Sequence, residues 1–388
     1  MPTQIKQFEA HFAEQTGAMV WMLSGLIETE TPSSDKDAID ELGDWMSTWA
    51  ADLAADVKVY PQSAVGNLVE CRWNATAPGK PILILCHMDT VHPIGSVDKH
   101  PTHTEGERLY GMGAYDMKGG ITVAQTVIQE LIKHNQLPER PISLFLNSEE
   151  EIGSRNSRGT IEEIAQEAGL VLVMEPSPGP GKIVTARKGV GIFQMVALGR
   201  ASHSGSAPEN GVNAIVEISY QVGKITALTN WELGTTVIPT IIHGGVNHNV
   251  IPDECDITIN VRARYQSEAD RVSQALYDIS HQAYLEDSLL YLTGDFLRPP
   301  MEHNALMEQT VATLREAVPM PIEEFSKGGG SDGNFTAALG IPTLDGLGPT
   351  GGGAHSKDEY IDIPSLPRQA ALLSHILCQW PHMPRDGE

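Results

Sequence analysis

The chain has 388 residues, of which 41% are hydrophobic, and its formal net charge at pH 7 is −24. This length exceeds that of one ordinary domain and predicts two, with enough apolar residues for a substantial core. The strong negative charge argues against nucleic acid or an anionic membrane as a partner, because both are themselves negatively charged.

The N-terminal stretch and the cysteines bear on the cellular compartment. No apolar run in the sequence approaches the roughly 18 residues needed to span a bilayer. Residues 1–20 have no basic head, apolar stretch or small-residue cleavage site, so they do not match a secretory signal. The cysteines lie far apart and form no CxxC pair, which favours reduced thiols over a disulfide framework. We therefore expect a cytoplasmic protein without a membrane partner.

Four short apolar runs predict the strands of a parallel sheet. Before them, the helical spacing of apolar residues predicts helices over residues 5–30 and 36–55. The runs are PILILC (81–86), PISLFL (141–146), LVLVM (170–174) and GIPTLDGLG (340–348), with helices predicted among them at 119–134 and 155–168. Runs of this length without alternation are typical of strands covered on both faces, so we predict an α/β domain with a mainly parallel sheet.

Residues 188–298 show a different pattern. In order they predict strand, helix, strand, strand, helix and strand, which is the ferredoxin-like βαββαβ arrangement of a complete small domain. The apolar-run pattern resumes afterwards, and stretches with Gly and Pro, SPGPGK (177–182) and RPP (298–300), mark both joins. We therefore predict one domain formed by residues 1–187 and 299–388, into which a second domain, residues 188–298, is inserted.

His, Asp or Glu follows each of the four apolar runs. The residues concerned are His87 and Asp89 after the first run, Glu149, Glu150 and Glu151 after the second, Glu175 after the third, and His355 after the fourth. A further carboxylate, Asp116, lies in a glycine-rich loop just before the helix predicted at 119–134. Since sites in open parallel sheets form beyond the carboxyl ends of the strands, these side chains should meet at one edge of the sheet.

Each of these residues alone is most simply a strand-end side chain in contact with water. Together they place two imidazoles and at least four carboxylates at one edge with few nearby cations, and a divalent metal is the simplest way to neutralise them. Mixed His and carboxylate ligation without thiolate suits Zn²⁺, Co²⁺ or Mn²⁺. One Zn²⁺ needs three or four protein ligands, so five candidates predict two ions that share a bridging carboxylate.

Six segments of the chain, in order, resemble the motifs of one known family. They are LCHMDTVHP, GMGAYDMKGG, NSEEEIGS, VMEPS, ASHSGSAPENGVNA and GGGAHSKDEYI. Over residues 80–361 the sequence resembles the M20 family of di-zinc peptidases and deacylases, and within it most the glutamate carboxypeptidase (carboxypeptidase G2-like) branch. The resemblance implies a catalytic domain with a mainly parallel sheet, two Zn²⁺ per chain that Co²⁺ or Mn²⁺ can replace, and an inserted domain that serves as a dimerisation or lid domain.

The resemblance also implies the ligands of the two ions. His87 and Glu175 are expected beside different ions, with Asp116 bridging the two. Glu151 and His355 complete the set of five.

The family pattern acid-Glu-Glu-x-Gly-Ser assigns roles within the glutamate triplet. It makes Glu150 the general base and Glu151 a metal ligand, while Glu149 is expected to be solvated and to have no chemical role. Asp89 matches the family's carboxylate that accepts the free ring N–H of His87 and fixes its tautomer. The alternative for Asp89 is a cap for the strand end or for a loop amide.

Residues of the inserted domain are implied in substrate binding. His203 by itself is most simply a surface-loop histidine, but the resemblance implies that it enters the partner subunit's active site and stabilises the oxyanion. Asn249 and Arg262 match positions that contact substrate or order that loop. Arg298 resembles an arginine that binds a substrate carboxylate, a task suited to the guanidinium fork. The glycine-rich loop at 327–335 is either a further source of donors for that carboxylate or a flexible turn.

The predicted activity is hydrolysis of an amide or peptide bond by a homodimer. The substrate is a small peptide or conjugate that loses a C-terminal glutamate or a similar amino acid. The alternative is an N-acyl amino acid, cleaved by a deacylase of the acetylornithine or succinyl-diaminopimelate type. A non-enzymatic relative that kept the fold as a binding module is a third reading, which the full set of candidate ligands disfavours. The remaining histidines, His11 and His134 among them, are predicted not to be ligands.

Overall fold

The computed structural model describes residues 4–384. The helices are α1 (Gln4–Glu28), α2 (Lys36–Asp52), α3 (Ser96–Lys99), α4 (Gly119–Lys133), α5 (Arg158–Glu167), α6 (Ala214–Thr226), α7 (Gln266–Ser280), α8 (Ala305–Ala317), α9 (Gly333–Ala338) and α10 (Ser365–Gln379). The strands are β1 (Asp56–Tyr60), β2 (Leu68–Trp73), β3 (Ile82–His87), β4 (His103–Glu105), β5 (Arg108–Tyr110), β6 (Ile142–Asn147), β7 (Leu170–Val173), β8 (Lys182–Arg187), β9 (Gly189–Leu198), β10 (Ser202–His203), β11 (Thr236–Gly244), β12 (Val250–Ile251), β13 (Glu254–Ala263), β14 (Leu289–Arg298), β15 (Glu323–Lys327), β16 (Thr343–Leu344), β17 (Gly351–Gly352) and β18 (Tyr360–Asp362).

Contacts divide the chain into two units. The first unit comprises residues 4–186, 303–326 and 331–384, and the second comprises residues 187–302 and 327–330. The division into domains at 187/188 and 298/299 stays a prediction. Within residues 4–384, no helix combines the length and the apolar character needed to cross a membrane.

The four apolar runs supply β3, β6, β7 and β16 of the six-stranded main sheet of the first unit, whose strand order is β1-β2-β6-β3-β7-β16. The pairs β6–β3, β3–β7 and β7–β16 are parallel, whereas β1–β2 and β2–β6 are antiparallel. Every residue of β3, β6 and β7 is buried, as expected for strands covered on both faces. The α/β class and the mainly parallel sheet are therefore confirmed.

The last apolar run contributes less to this sheet than its sequence predicts. Of the residues 340–348, only Thr343 and Leu344 pair with β7. Pro342 precedes the pair and lacks a backbone donor, and Gly346 has a positive φ of 74°, which turns the chain out of the strand conformation. The run therefore forms a short edge strand, and the rest of it is loop.

Helices cover the main sheet. Leu83 and Leu85 of β3 belong to a buried cluster with Ile161 and Ile164 of α5 and Phe335 of α9. α4 also packs on β3, and α1 and α10 pack against α4. The helix α4 thus lies directly over the strand that ends in His87.

The second unit contains a separate four-stranded antiparallel sheet in the order β11-β13-β9-β14, with α6 and α7 packed on it. Its longer elements follow in the chain as strand, helix, strand, strand, helix and strand, and the two-residue strands β10 and β12 and a 3₁₀ helix at Pro208–Asn210 occur in addition. Residues of β13 alternate between buried and partly exposed along the strand, so one face carries the core. The predicted ferredoxin-like order of elements is confirmed.

Candidate metal centre

The ends of three neighbouring strands bring candidate ligands together. β3 ends at His87, β6 is followed by the glutamate triplet at 149–151, and β7 is followed after one residue by Glu175. In the sheet β3 lies between β6 and β7, and the three strands are parallel. Their carboxyl ends therefore meet at one edge, as the sequence predicts.

Asp116 reaches this edge from the loop before α4. The first turn of α4 lies against the chain that leaves β7, because Gly120 has no side chain. A Cβ on Gly120 would lie 2.1 Å from the carbonyl oxygen of Met174, closer than any real Cβ contact. This close approach places the Asp116 loop beside the residue after Met174, Glu175.

Three of the side chains form what we call the inner group. His87 Nε2 lies 3.2 Å from Asp116 Oδ1 and 3.6 Å from Glu175 Oε1. The side chains of His87 and Glu175 are only 1% and 9% exposed. One imidazole and two carboxylates therefore converge in a nearly dry place.

Asp116 also belongs to a second set of three, the outer group. His355 Nε2 lies 3.1 Å from Glu151 Oε2 and 3.5 Å from Asp116 Oδ2. The side chain of His355 is 53% exposed, so this group is open to solvent. Asp116 presents Oδ1 to the inner group and Oδ2 to the outer group, the arrangement expected of a shared carboxylate.

The donor set fits a pair of divalent ions. Each group offers one imidazole nitrogen and two carboxylate oxygens, with ligand atoms within 4.8 Å of one another, which suits Zn²⁺, Co²⁺ or Mn²⁺. The grouping differs from the expectation for His87 and Glu175, which we placed beside different ions. They fall in one group because β3 and β7 are adjacent strands, so that their ends are neighbours.

The charges of the site explain why a cation fits there. Burial, and next the negative charge of Asp116, raise the pKa of Glu151 to about 8. Burial acts to raise the pKa of Asp116 as well, but hydrogen bonds with His355 and His87 hold that pKa below its usual range. The hydrogen bond with Asp116 raises the pKa of His355 to about 9. The carboxylates thus compete for positive charge, which divalent ions would supply in place of protons.

Asp89 holds the backbone around both groups. Its Oδ1 accepts a hydrogen bond from the Glu150 N–H at 3.0 Å, and its Oδ2 accepts one from the Glu151 N–H at 3.1 Å and one from the Ser33 hydroxyl at 2.7 Å. His87 Nδ1 lies 3.0 Å from the backbone oxygen of Asp89 and 3.4 Å from its Oδ1. The nearer of these two oxygens to His87 Nδ1 is that of the Asp89 backbone, so the expected role of the carboxylate as acceptor of the ring N–H stays a prediction. The carboxylate does cap the loop amides, which was the alternative.

This geometry agrees with the comparison of the chain with known proteins. Residues 83–379 match the sequence profile of peptidase family M20/M25/M40. The chain belongs to this family. Membership makes the M20 protein a metallopeptidase or related metallohydrolase with a dinuclear metal site and a peptide-type substrate.

Individual relatives give the same family. Carboxypeptidase G2 of Pseudomonas sp. (strain RS-16) is 30% identical over 95% of this chain and 91% of its own. Succinyl-diaminopimelate desuccinylase of Delftia acidovorans is 27% identical over 76% of this chain and 80% of its own. Among solved structures, aminopeptidase PepT of Bacillus cereus superposes with a TM-score of 0.75 at 21% identity, covering 94% of this chain and 98% of that one. The last similarity concerns the fold alone.

Glu149 of the M20 protein is not solvated, contrary to the expectation. Its side chain is buried, with 1% of the residue exposed. Glu149 Oε1 accepts hydrogen bonds from the backbone N–H groups of Asn156 and Ser157 at 2.5 and 2.7 Å, and Oε2 accepts one from Asn156 Nδ2 at 2.9 Å. These amides belong to the turn just before α5, which begins at Arg158, so Glu149 holds the turn that leads into that helix.

Glu359 is a buried residue of the site that we did not single out from the sequence. Its Oε1 accepts hydrogen bonds from the backbone N–H groups of Tyr115 and Asp116 at 2.8 and 2.9 Å. Its Oε2 lies 2.9 Å from His92 Nε2. The acidic residue that follows His355 by four positions in the motif GGGAHSKDEYI was the available signal. Glu359 therefore fixes the loop that carries the shared carboxylate.

His203 lies on the short strand β10 of the second unit and is exposed. Its Nδ1 accepts hydrogen bonds from the backbone N–H groups of Gly205 and Ser206, both at 3.1 Å. Since an acceptor nitrogen carries no proton, the ring hydrogen is on Nε2, which is available as a donor. Asn249 orders this loop through its backbone carbonyl oxygen, which accepts a hydrogen bond from the backbone N–H of Ser204 at 2.9 Å.

The two predicted substrate-binding arginines lie in one row of the second sheet. Arg262 and Arg298 both pair with Val190, from opposite sides, so their side chains project to the same face. Burial, and next the positive charge of Arg298, lower the pKa of Arg262. Gly330 packs on the row, since a Cβ there would lie 2.7 Å from Arg298 Cδ. The row therefore brings two guanidinium groups together on one face of the second sheet.

Proposed function

We propose that the protein is a metallo-carboxypeptidase that releases a C-terminal glutamate, or a similar amino acid, from a small peptide or conjugate. The similarity to carboxypeptidase G2, which extends over nearly the whole chain, carries this proposal. The similarity to desuccinylases covers less of the chain and favours, as the second candidate, an N-acyl amino acid deacylase of the succinyl-diaminopimelate or acetylornithine type.

The residues of the metal centre divide the chemical work. The inner and outer groups, which have Asp116 in common, would each hold one divalent ion, which we take to be Zn²⁺. When bound, such a pair would supply Lewis acidity for the scissile carbonyl and would make the attacking water more acidic. Glu151 lies in the outer group. The resemblance to the family implies that its neighbour Glu150 is the general base, which takes the proton of the water and returns it to the leaving amine. Asp89 fixes both glutamates through their backbone amides.

His203 is the donor for the oxyanion that forms when water adds to the carbonyl. Its Nε2 carries the hydrogen, because Nδ1 accepts two backbone hydrogen bonds. We propose that His203 acts in the partner subunit's active site, as the resemblance to the family implies. A single donor of this kind contributes roughly 10²–10³-fold to kcat.

An apolar edge of the second sheet supports the homodimer that this requires. β11 is the end strand of that sheet, and its residues Ile238, Ile241 and Ile242 are exposed. Ile215 and Tyr220 of α6, the helix that packs against β11, are exposed as well. An exposed apolar edge strand is a template for pairing with another chain. We therefore propose that two copies pair along β11.

The row formed by Arg262 and Arg298 binds the C-terminal carboxylate of the substrate in this proposal. Two guanidinium groups on one face can hold a carboxylate by charge-assisted hydrogen bonds. An α-carboxylate occurs in every peptide with a free C-terminus, so the row explains exopeptidase action rather than the preference for glutamate. Neutralising one arginine should therefore weaken binding of substrates that carry this carboxylate.

A substrate panel tests the proposal. It comprises N-acetyl-ornithine, N-succinyl-diaminopimelate, Ala-Glu and benzoyl-Glu, and we expect the highest kcat/KM for the two glutamate amides. Preference for the acetyl or succinyl substrate would establish the deacylase instead. Ala-Glu and its C-terminal amide form a matched pair for the arginine row: Arg298→Met should raise KM for Ala-Glu and leave the slow cleavage of the amide unchanged.

A further inference from the structure

A third cluster of metal-ligating side chains lies away from the metal centre, between α1 and α4. It consists of His11 on α1, Glu130 on α4 and His134 at the end of α4, with one ligand atom of each within 4.8 Å of the others. Residue 130 follows residue 118 by twelve positions, so the cluster lies roughly 18 Å along the helix from the Asp116 loop. It is therefore separate from the inner and outer groups.

The three side chains converge on one carboxylate oxygen. Glu130 Oε2 lies 2.7 Å from His11 Nε2 and 3.5 Å from His134 Nε2. Glu130 and His134 are four residues apart and so lie on the same face of the helix, which His11 meets from α1. Two imidazole nitrogens and one carboxylate oxygen form the same donor set that binds Zn²⁺ with one position left for water.

The surroundings leave these donor atoms accessible. Lys133 lies 2.9 Å from Glu130 Oε1, so its charge is directed to the oxygen that the histidines do not use. The Glu130 side chain is mostly buried, whereas His11 and His134 are partly exposed. The cluster lines a cavity of about 220 Å³ together with three glutamines and three apolar residues: Gln4, Gln7, Gln136, Phe8, Phe12 and Leu131. An ion can therefore enter from solvent and meet a nearly preformed set of ligands.

We propose that His11, Glu130 and His134 bind a divalent transition-metal ion, with Zn²⁺ as the probe, in addition to the pair in the metal centre. Since the ligands come from two helices, the ion links α1 to the C-terminal end of α4 and stabilises their packing. This departs from our sequence-based prediction that His11 and His134 are not ligands. The proposal is independent of the catalytic activity, because none of these residues belongs to the inner or outer group.

Metal content tests this site without reference to turnover. His11→Gln and His134→Gln are the test variants, since glutamine keeps a donor for Glu130 but binds Zn²⁺ poorly. His100→Gln, which replaces an exposed histidine outside the cluster, is the control. Each protein is dialysed to equilibrium against buffered Zn²⁺, and the bound Zn²⁺ per chain is measured together with Tm in Zn²⁺ and in chelator.

We expect each test variant to bind one Zn²⁺ fewer per chain than the wild type and His100→Gln. The Zn²⁺-dependent rise in Tm should also be smaller in the test variants, while their Tm in chelator matches that of the control. Equal Zn²⁺ content in all four proteins would overturn the proposal. The proposal would also be overturned if the Tm of a test variant were lower than that of His100→Gln by the same amount in chelator as in Zn²⁺. The histidines would then stabilise the protein through packing alone.

Discussion

Replacing Glu149 should destabilise the protein even though this residue has no part in the proposed chemistry. A hydrogen bond to a charged group contributes about 1.5–3 kcal/mol, and a neutral one about 0.5–1.5 kcal/mol. Glu149→Gln keeps an oxygen for the Asn156 and Ser157 amides but loses the charge in both hydrogen bonds, which amounts to about 2 kcal/mol. The Asn156 side-chain amide can turn over to accept from the new Gln, so the third bond survives.

The larger change, Glu149→Ala, removes all three hydrogen bonds. The Ser157 residue is fully buried, so its N–H would be left without water or protein acceptor, at a cost of about 1–3 kcal/mol in addition to the lost charged bonds. Taking the lower end of each range, about 1.5 kcal/mol for each of the three bonds and about 1 kcal/mol for the unpaired N–H, we expect the free energy of unfolding to fall by at least about 5.5 kcal/mol. Urea unfolding followed by circular dichroism measures both variants.

Glu163→Gln is the matched control, because Glu163 is an exposed glutamate on α5. It should change the free energy of unfolding by no more than about 0.5 kcal/mol. If the free energy of unfolding of Glu149→Ala were within about 0.5 kcal/mol of the wild-type value, Glu149 would not hold the turn before α5. If Glu149→Gln lost as much turnover as Glu150→Gln, the division of roles within the triplet would be wrong.

Four further outcomes follow from the metal centre. A chelator should abolish activity, and Zn²⁺, Co²⁺ or Mn²⁺ should restore it. Metal analysis should give about two ions per chain in the metal centre, and full activity of a metal-free preparation would refute the site. Glu150→Gln should keep its metal but lose roughly 10²–10⁴-fold in kcat, whereas Glu151→Gln should bind less metal. His203→Ala should lower kcat roughly 10²–10³-fold without changing the metal content, and mixing this variant with Glu150→Gln should regenerate some activity. An inactive mixture in which the subunits have been shown to exchange would contradict the donation of His203 across the dimer. Glu359→Gln, which weakens the acceptor for two backbone amides, should lower metal occupancy and leave KM unchanged in the fraction that keeps its metal.

The fold and the place of the site could be predicted because both depend on short patterns in the sequence. The runs that form β3, β6 and β7 lack alternation, and His or Glu follows each of them within three residues. Parallel strands deliver such residues to one edge whatever their order in the sheet. The collection of ligands at one edge was therefore predictable.

The grouping of those ligands was not predictable from patterns of this kind. It depends on which strand ends are neighbours, and the order β6-β3-β7 places His87 beside Glu175 although 88 positions separate them. The role of Glu149 depends on where the turn before α5 lies, because the sequence alone does not show which of three consecutive glutamates accepts hydrogen bonds from the N–H groups of Asn156 and Ser157. Glu359 likewise acts on a loop that lies more than 240 residues earlier in the chain.

The unequal exposure of the two ligand groups has a consequence for the kinetics of metal exchange. His355 is half exposed to solvent, whereas His87 is almost fully enclosed. Exchange requires water or a chelator to approach the ion, so an ion in the outer group should leave first and return first. Gradual stripping would then pass through a chain with one ion, and reloading with a second kind of metal would give a mixed pair in a fixed order. The metal content of a preparation would thus record its history as well as its affinity.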